Sequence, residues 1–121
     1  MKITVVTPSY EGESYLQRYV DCMEKNRAAL KVAGHELEVV IVNDSPWKKI
    51  EPANVADQYI KVVTNPENKG IHYSRVAGLA EATGDYVMFL DQDDLLTDDA
   101  LLKLGQALEK AGTDLIIANA N

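Results

Sequence analysis

A single cysteine, Cys22, is all that 121 residues contain. An internal disulfide and a cysteine-built metal cluster are thereby excluded, and a reducing, cytoplasmic location is expected. Basic residues are the minority: 12 Lys and Arg stand against 19 Asp and Glu, a formal net charge of −7. That balance argues against nucleic acid or an anionic membrane surface as a general partner, and still permits an anionic ligand held through a metal. No apolar run approaches the roughly 18 residues of a membrane span. The run at 3–6 is too short for a signal peptide and leads straight into a turn. Common phosphate-binding motifs are missing as well. There is no G-x-x-x-x-G-K-[ST] loop, and Thr7-Pro-Ser-Tyr-Glu-Gly12 lacks G-x-G-x-x-G. A P-loop nucleotidase and a dinucleotide-binding domain are therefore disfavoured. An EF-hand fails too: counting from Asp91, Leu96 stands at the sixth position and Leu102 at the twelfth. No Ser/His/Asp or Cys/His set is evident, and His35 and His72 read as surface residues.

What is present is a 46% hydrophobic chain of single-domain length. Ile3-Thr-Val-Val-Thr-Pro8 reads as a first buried strand, ending at Pro8 because proline cannot donate to a ladder. Ser14 and Gln17 fit a capping box that opens a helix reaching about Val32. Leu16, Tyr19, Val20, Met23 and Leu30 share one face of that helix, and Gly34 suits its stop. A second strand spans 37–43 and breaks at Asp44-Ser-Pro46. A polar stretch with a short helix over 54–58 follows. A third strand covers 59–64, a turn-rich loop 65–70, and a helix 71–83. Residues 86–90 form a fourth strand. Thr97 reads as an N-cap for a helix that sends Leu101, Leu104, Leu108 and Ala111 to the core and stops at Gly112. A fifth strand is expected at 115–118. Alternating strands and helices predict a three-layer α/β/α sandwich around an open, mostly parallel sheet. In such sheets ligands bind outside the carboxyl ends of the strands. Here those ends carry Ser9 and Tyr10, Asn43 and Asp44, Thr64 and Asn65, and Asp91.

The fourth strand ends in three carboxylates within four residues, Asp91-Gln-Asp93-Asp94. If the chain stays extended, Asp91 and Asp93 point to one side. Two like charges about 4 Å apart repel by roughly 4 kcal/mol at an effective dielectric of about 20. Two readings follow: a site where a hard cation such as Mn²⁺ or Mg²⁺ bridges carboxylates and ligand phosphates, or a solvated acidic turn capping the next helix. Four polar loops on one rim favour the first.

Four ordered motifs now carry a resemblance. They are Val5-Val-Thr-Pro-Ser-Tyr10, Val40-Ile-Val-Asn43-Asp44-Ser45, Asn68-Lys-Gly70-x-x-x-x-Arg75-x-x-Gly78, and Gly84-Asp-Tyr-Val-Met-Phe-Leu-Asp91-Gln-Asp93-Asp94. Together they resemble the nucleotide-sugar-binding part of a family 2 glycosyltransferase with the Rossmann-like GT-A fold, over nearly the whole chain. Departures are visible. Glu11 stands where the family usually has Asn, Asn43 replaces the first of two Asp, Ser74 replaces a small Ala, and Val76 replaces Asn. The resemblance implies that Pro8, Ser9 and Tyr10 line a nucleotide pocket and that Asp44 bonds the base, most often uracil. Asp91 would lie against ribose and diphosphate, and Asp93, with Asp91, would ligate Mn²⁺ or Mg²⁺. Lys69 or Arg75 would help neutralise the diphosphate. Trp47 would either stack at the rim or serve as a packed anchor.

The implied chemistry is inverting transfer of a sugar from a nucleoside diphosphate, with UDP expected, to an acceptor hydroxyl of a glycan, lipid or protein. The base that the family uses lies further along than Asn121. No residue of this chain is therefore expected to be catalytic, and residues 1–121 would be either a truncated chain or a stand-alone donor part, inactive alone. Two alternatives stand beside this reading. One is a GT-A-like module that binds nucleotide without turnover. The other is a haloacid-dehalogenase-like phosphatase, although that family's D-x-D normally opens the domain. An unpaired edge on the fifth strand would also favour self-association through the sheet edge.

Overall fold

A computed structural model of the chain describes residues 1–52 and 57–111. Its elements in order are β1 (Lys2–Ser9), α1 (Glu13–Val32), β2 (Glu36–Asn43), β3 (Ile60–Thr64), α2 (Ile71–Glu81), β4 (Tyr86–Phe89) and α3 (Ala100–Ala111). The expectations for residues 54–56, the Ala111 side chain, Gly112 and a fifth strand at 115–118 lie outside the described residues.

The sheet is wholly parallel, with order β3-β2-β1-β4. Strand periodicity divides its side chains between two cores. Ile3, Val5, Leu37, Val39 and Ile41 face one way, against Tyr19, Val20, Met23 and Leu30 of α1 and Leu101 of α3. Val6, Val40 and Val42 face the other, against Ala77 of α2. The three α/β/α layers are therefore present as the pattern of strands and helices implies. The glycine of Arg75-x-x-Gly78 has its reason here: a Cβ at Gly78 would collide with Val6 Cγ1, so only glycine lets α2 lie this close to β1.

Several local expectations are corrected. β1 runs through Pro8 to Ser9. Asp85 N and Leu90 N donate to Lys2 O and Val6 O, so even-numbered residues of β1 bond toward β4. The β1–β4 register ends at Val6–Phe89. Pro8 thus lacks its N–H on a side where no strand follows, and the β2 side continues undisturbed to Ser9–Asn43. Helix α1 is preceded by Gly12 with no side-chain cap. Ser14 lies inside the first turn, and Gln17 bonds Asp21 instead of reaching back. Helix α3 begins three residues after Thr97. Its buried positions are Leu101, Gly105 and Leu108, while Leu104 is only half-buried.

The start of α3 is held from outside. Asn26, fully buried on α1, donates to Thr97 O at 3.0 Å and accepts from Leu101 N at 3.1 Å. One turn earlier, Cys22 Sγ meets both Leu96 N and Leu96 O. These bonds satisfy backbone groups that a helix beginning leaves without partners. At the far end of the sheet, buried Glu38 accepts from Thr4 Oγ1, Thr83 N and Thr83 Oγ1. Lys2 and Lys61 stand 3.6 and 3.7 Å from it. Burial alone would raise the Glu38 carboxyl, but the Thr83 and Thr4 hydrogen bonds and the Lys2 charge outweigh it and hold the group down to about 2.

Candidate functional site

The chain winds outward from β1 to β2 to β3, then returns to place β4 on the other flank of β1. This reversal opens a crevice at the carboxyl ends of β1 and β4. A cleft of about 230 Å³ lies there, and Pro8, Ser9, Tyr10, Asp44, Asp91 and Asp93 all contribute to its lining. Six of the eight sequence-predicted site residues are therefore brought together from three separate turns, while Lys69 and Arg75 are not part of the lining. Tyr15, Ile71, Ser74 and Gln92 complete the lining.

The carboxylate turn differs from the extended geometry considered above. β4 ends at Phe89, and Asp94 N donates to Asp91 O at 3.1 Å, which closes a tight turn over Asp91-Gln-Asp93-Asp94. Asp91 and Asp93 reach the cleft from this turn, and both are exposed. Arg75 on α2 approaches Asp91 to 3.5 Å and lies with its guanidinium 5.9 Å above the Phe89 ring. Its Nε is buried without a hydrogen-bond partner among the described residues.

Asp44 plays a structural part at the cleft wall. Its Oδ1 accepts from Asn65 Nδ2 at 2.9 Å and Lys69 N at 2.7 Å, and its Oδ2 accepts from Gly70 N at 2.9 Å. Burial would raise this carboxyl, but the Lys69 N–H, the Asn65 amide and the Gly70 N–H together hold it below its ordinary value. Asn43 makes an Asx turn at this bend, its Oδ1 accepting from Ser45 N. Asn65 also bonds Ser74 Oγ at 3.0 Å, so the serine found where Ala is usual has a partner.

Lys69 enters the site through its backbone. Its ammonium pairs with Glu67 at 2.7 Å and lies 5.6 Å above the Tyr73 ring, and the side chain is not part of the cleft lining. Trp47 is exposed and meets Tyr10 edge to face at 5.9 Å, extending an aromatic rim. Gln92 is the residue that motif reading passed over. It bonds Ser9 and Tyr10, so it ties the fourth-strand turn to the first-strand turn. No local signal marks it, because its partners lie 82 and 83 residues earlier in the chain.

Among the described residues no three His, Cys, Asp or Glu side chains converge as a self-sufficient metal site. Two exposed carboxylates on one turn suit a different arrangement. A hard cation held by one or two carboxylates completes its shell with water and ligand phosphate oxygens.

A second depression, about 420 Å³, lies at the amino ends of the strands and includes Lys2, Arg27, Lys31, His35 and Lys61. Its charges are largely engaged internally: Arg27 pairs with Asp57 at 2.6 Å, and Lys2 and Lys61 flank Glu38. The carboxyl-end cleft is the better candidate on chemistry and topology, despite its smaller volume.

A parallel α/β sheet with a carboxylate-edged cleft at its topological reversal has the GT-A glycosyltransferase fold, and comparisons with known proteins agree. The model of glycosyl transferase family 2 matches residues 4–120, and the chain belongs to this family. It is 33% identical over 106 residues to an uncharacterized glycosyltransferase of Haemophilus influenzae, covering 84% of this chain and 40% of that protein. It is 31% identical over 121 residues to putative glycosyltransferases of Mycobacterium tuberculosis, covering 96% of this chain and 34% of that protein. The chain thus spans well under half the length of these curated relatives. Among solved structures, residues 1–349 of S. aureus TarS in complex with UDP-GlcNAc superpose with a TM-score of 0.70 at 24% identity, covering 91% of this chain and 32% of that one. The mannosyltransferase PcManGT of Pyrobaculum calidifontis, in complex with GDP-Man and Mn²⁺, gives 0.60 at 20% identity, covering 78% and 28%. Family membership sets the phosphatase alternative aside.

Proposed function

We propose that residues 1–121 form the donor-binding part of an inverting, cytoplasmic glycosyltransferase, taking a nucleoside diphosphate sugar whose nucleotide is UDP. The observation that carries this is the convergence of Pro8, Ser9, Tyr10, Asp44, Asp91 and Asp93 on one cleft at the sheet reversal. Solved relatives that hold UDP-GlcNAc, or GDP-Man with Mn²⁺, support the ligand class.

In this reading the nucleoside lies against Tyr10 and the wall built by Asp44, and the diphosphate points toward the turn of Asp91 and Asp93. Those two carboxylates would hold Mn²⁺ or Mg²⁺, and such an ion would supply positive charge at the departing diphosphate. Arg75 holds Asp91 in orientation from the α2 side and adds positive charge beside it. Asp44 keeps the loop of Lys69 and Gly70 fixed at the cleft wall. Fixed groups aimed at developing charge lower a barrier because they need no reorganisation during reaction. No carboxylate of this cleft is assigned as the base that takes the acceptor hydroxyl's proton. The chain spans 40% and 34% of the length of two relatives, and in this reading it binds donor without transferring sugar by itself.

A thermal-shift series tests the proposal. UDP, GDP and CDP are each added with Mn²⁺ and again with EDTA. UDP with Mn²⁺ should raise the melting temperature, EDTA should remove the rise, and Asp93→Ala should abolish it. A rise that is unchanged by EDTA and by Asp93→Ala contradicts the metal role, and no rise with any nucleotide contradicts donor binding.

A further inference from the structure

The two turns that meet across the cleft are joined by one side chain. Gln92 Oε1 accepts from Ser9 Oγ at 2.9 Å and from Tyr10 N at 3.1 Å, while its Nε2 donates to Tyr10 O at 2.9 Å. Both ends of the amide are therefore used, two acceptances and one donation, on a single dipeptide of the first turn. Space for this bond set is provided by Gly12. A Cβ there would collide with Gln92 Oε1 and with Ser9 Oγ. The backbone itself does not demand glycine, because φ at Gly12 is −93°. What it demands is room for the Gln92 amide.

The residues on either side of Gln92, Asp91 and Asp93, line the cleft, and Tyr10 lines it from the other turn. The amide thus fixes how far the carboxylates stand from the aromatic rim. Resting on the donor-site reading, we propose that Gln92 is a positioning residue that sets the spacing between the nucleoside end and the diphosphate end of the donor site. A ligand that reaches both ends gains affinity because its second contact forms at high effective concentration, and that gain falls when the two subsites are no longer held at matching separation. Gln92 acts on this term and not on either subsite alone.

That distinction supplies the test. The full chain is titrated with UDP in Mn²⁺, with uridine alone and with pyrophosphate in Mn²⁺, as wild type, Gln92→Ala, Gly12→Ala and the double variant. Gly12→Ala reaches the same bonds without altering Gln92, and it displaces only the flexible ends of side chains, so the fold survives it. Each single variant should weaken UDP by about tenfold or more. Uridine and pyrophosphate, each reaching one end only, should weaken by clearly less than UDP does, and the double variant should be no weaker than either single one, since coupled residues do not add. Unchanged UDP affinity in Gln92→Ala overturns the proposal, as does equal weakening of all three ligands, which would mark a general structural defect. If wild type prefers GDP, guanosine and GDP replace uridine and UDP. Wild-type chain that binds neither UDP nor GDP overturns the donor-site reading itself, and the spacing role with it.

Discussion

Replacing Glu38 by Gln removes a charge from the amino end of the sheet without changing side-chain size. In the folded chain this carboxylate receives three hydrogen bonds, from Thr4 Oγ1, Thr83 N and Thr83 Oγ1, and has two lysines within 3.7 Å. Its carboxyl is held down to about 2 from an ordinary 4.5. At about 1.4 kcal/mol per pH unit of displacement, the ionised form contributes about 3 kcal/mol of stability at neutral pH. The value depressed in the folded state fixes the sign. This stability is fully present above the unfolded value and is lost as pH falls through the folded one. Urea unfolding of wild type and Glu38→Gln should therefore differ by about 3 kcal/mol near pH 7, by less than half of that near pH 3, and by little near pH 2. Taking the difference between the two chains removes the titration of the other carboxylates. A gap that is constant from about pH 7 to pH 3, or one below about 1 kcal/mol at neutral pH, would refute the assignment of that stability to the Glu38 charge.

Three further outcomes are expected. Asn26→Ala strands the Leu101 N–H and Thr97 C=O and should cost about 2–3 kcal/mol in urea unfolding, in line with unsatisfied buried groups. Glu11 sits at φ 47°, a left-handed conformation that Asn tolerates better; Glu11→Asn should stabilise by about 0.5–1 kcal/mol, read as a raised urea midpoint with unchanged slope. Self-association through an outer sheet edge is expected; light scattering across a dilution series should show mass rising with concentration, and a monomer at every concentration would count against it.

Much of this molecule was legible because its signals are local. The continuous apolar strands and the spacing of Tyr19, Val20, Met23 and Leu30 encode buried parallel strands and a helix face in their own periods. Strand-end polar residues then placed Tyr10, Asp44 and Asp91 on one rim. Pro8 was misjudged because its effect depends on which neighbour its nitrogen faces, and that requires sheet order. The Ser14 capping box failed because the helix starts two residues earlier, after Gly12 and without a side-chain cap. The side-chain cap of α3 comes from Asn26 on another helix, which no reading of Thr97 and its neighbours reveals. At the site, the resemblance implied a Lys69 ammonium facing the diphosphate, whereas Lys69 meets Asp44 through its backbone N–H and its charge pairs with Glu67, a partition between backbone and side chain that no motif spells out.

The central claim is that the donor occupies the cleft at the reversal between β1 and β4. Amide chemical-shift mapping of the full chain with UDP and Mg²⁺, followed by substitution of Mn²⁺, tests it most directly. Donor binding there predicts shifts at Tyr10, Asp44, Gly70, Gln92 and Asp93, and paramagnetic broadening centred on Asp91 and Asp93. Shifts gathered instead around Lys2, Arg27, His35 and Lys61 at the opposite end of the sheet would contradict it.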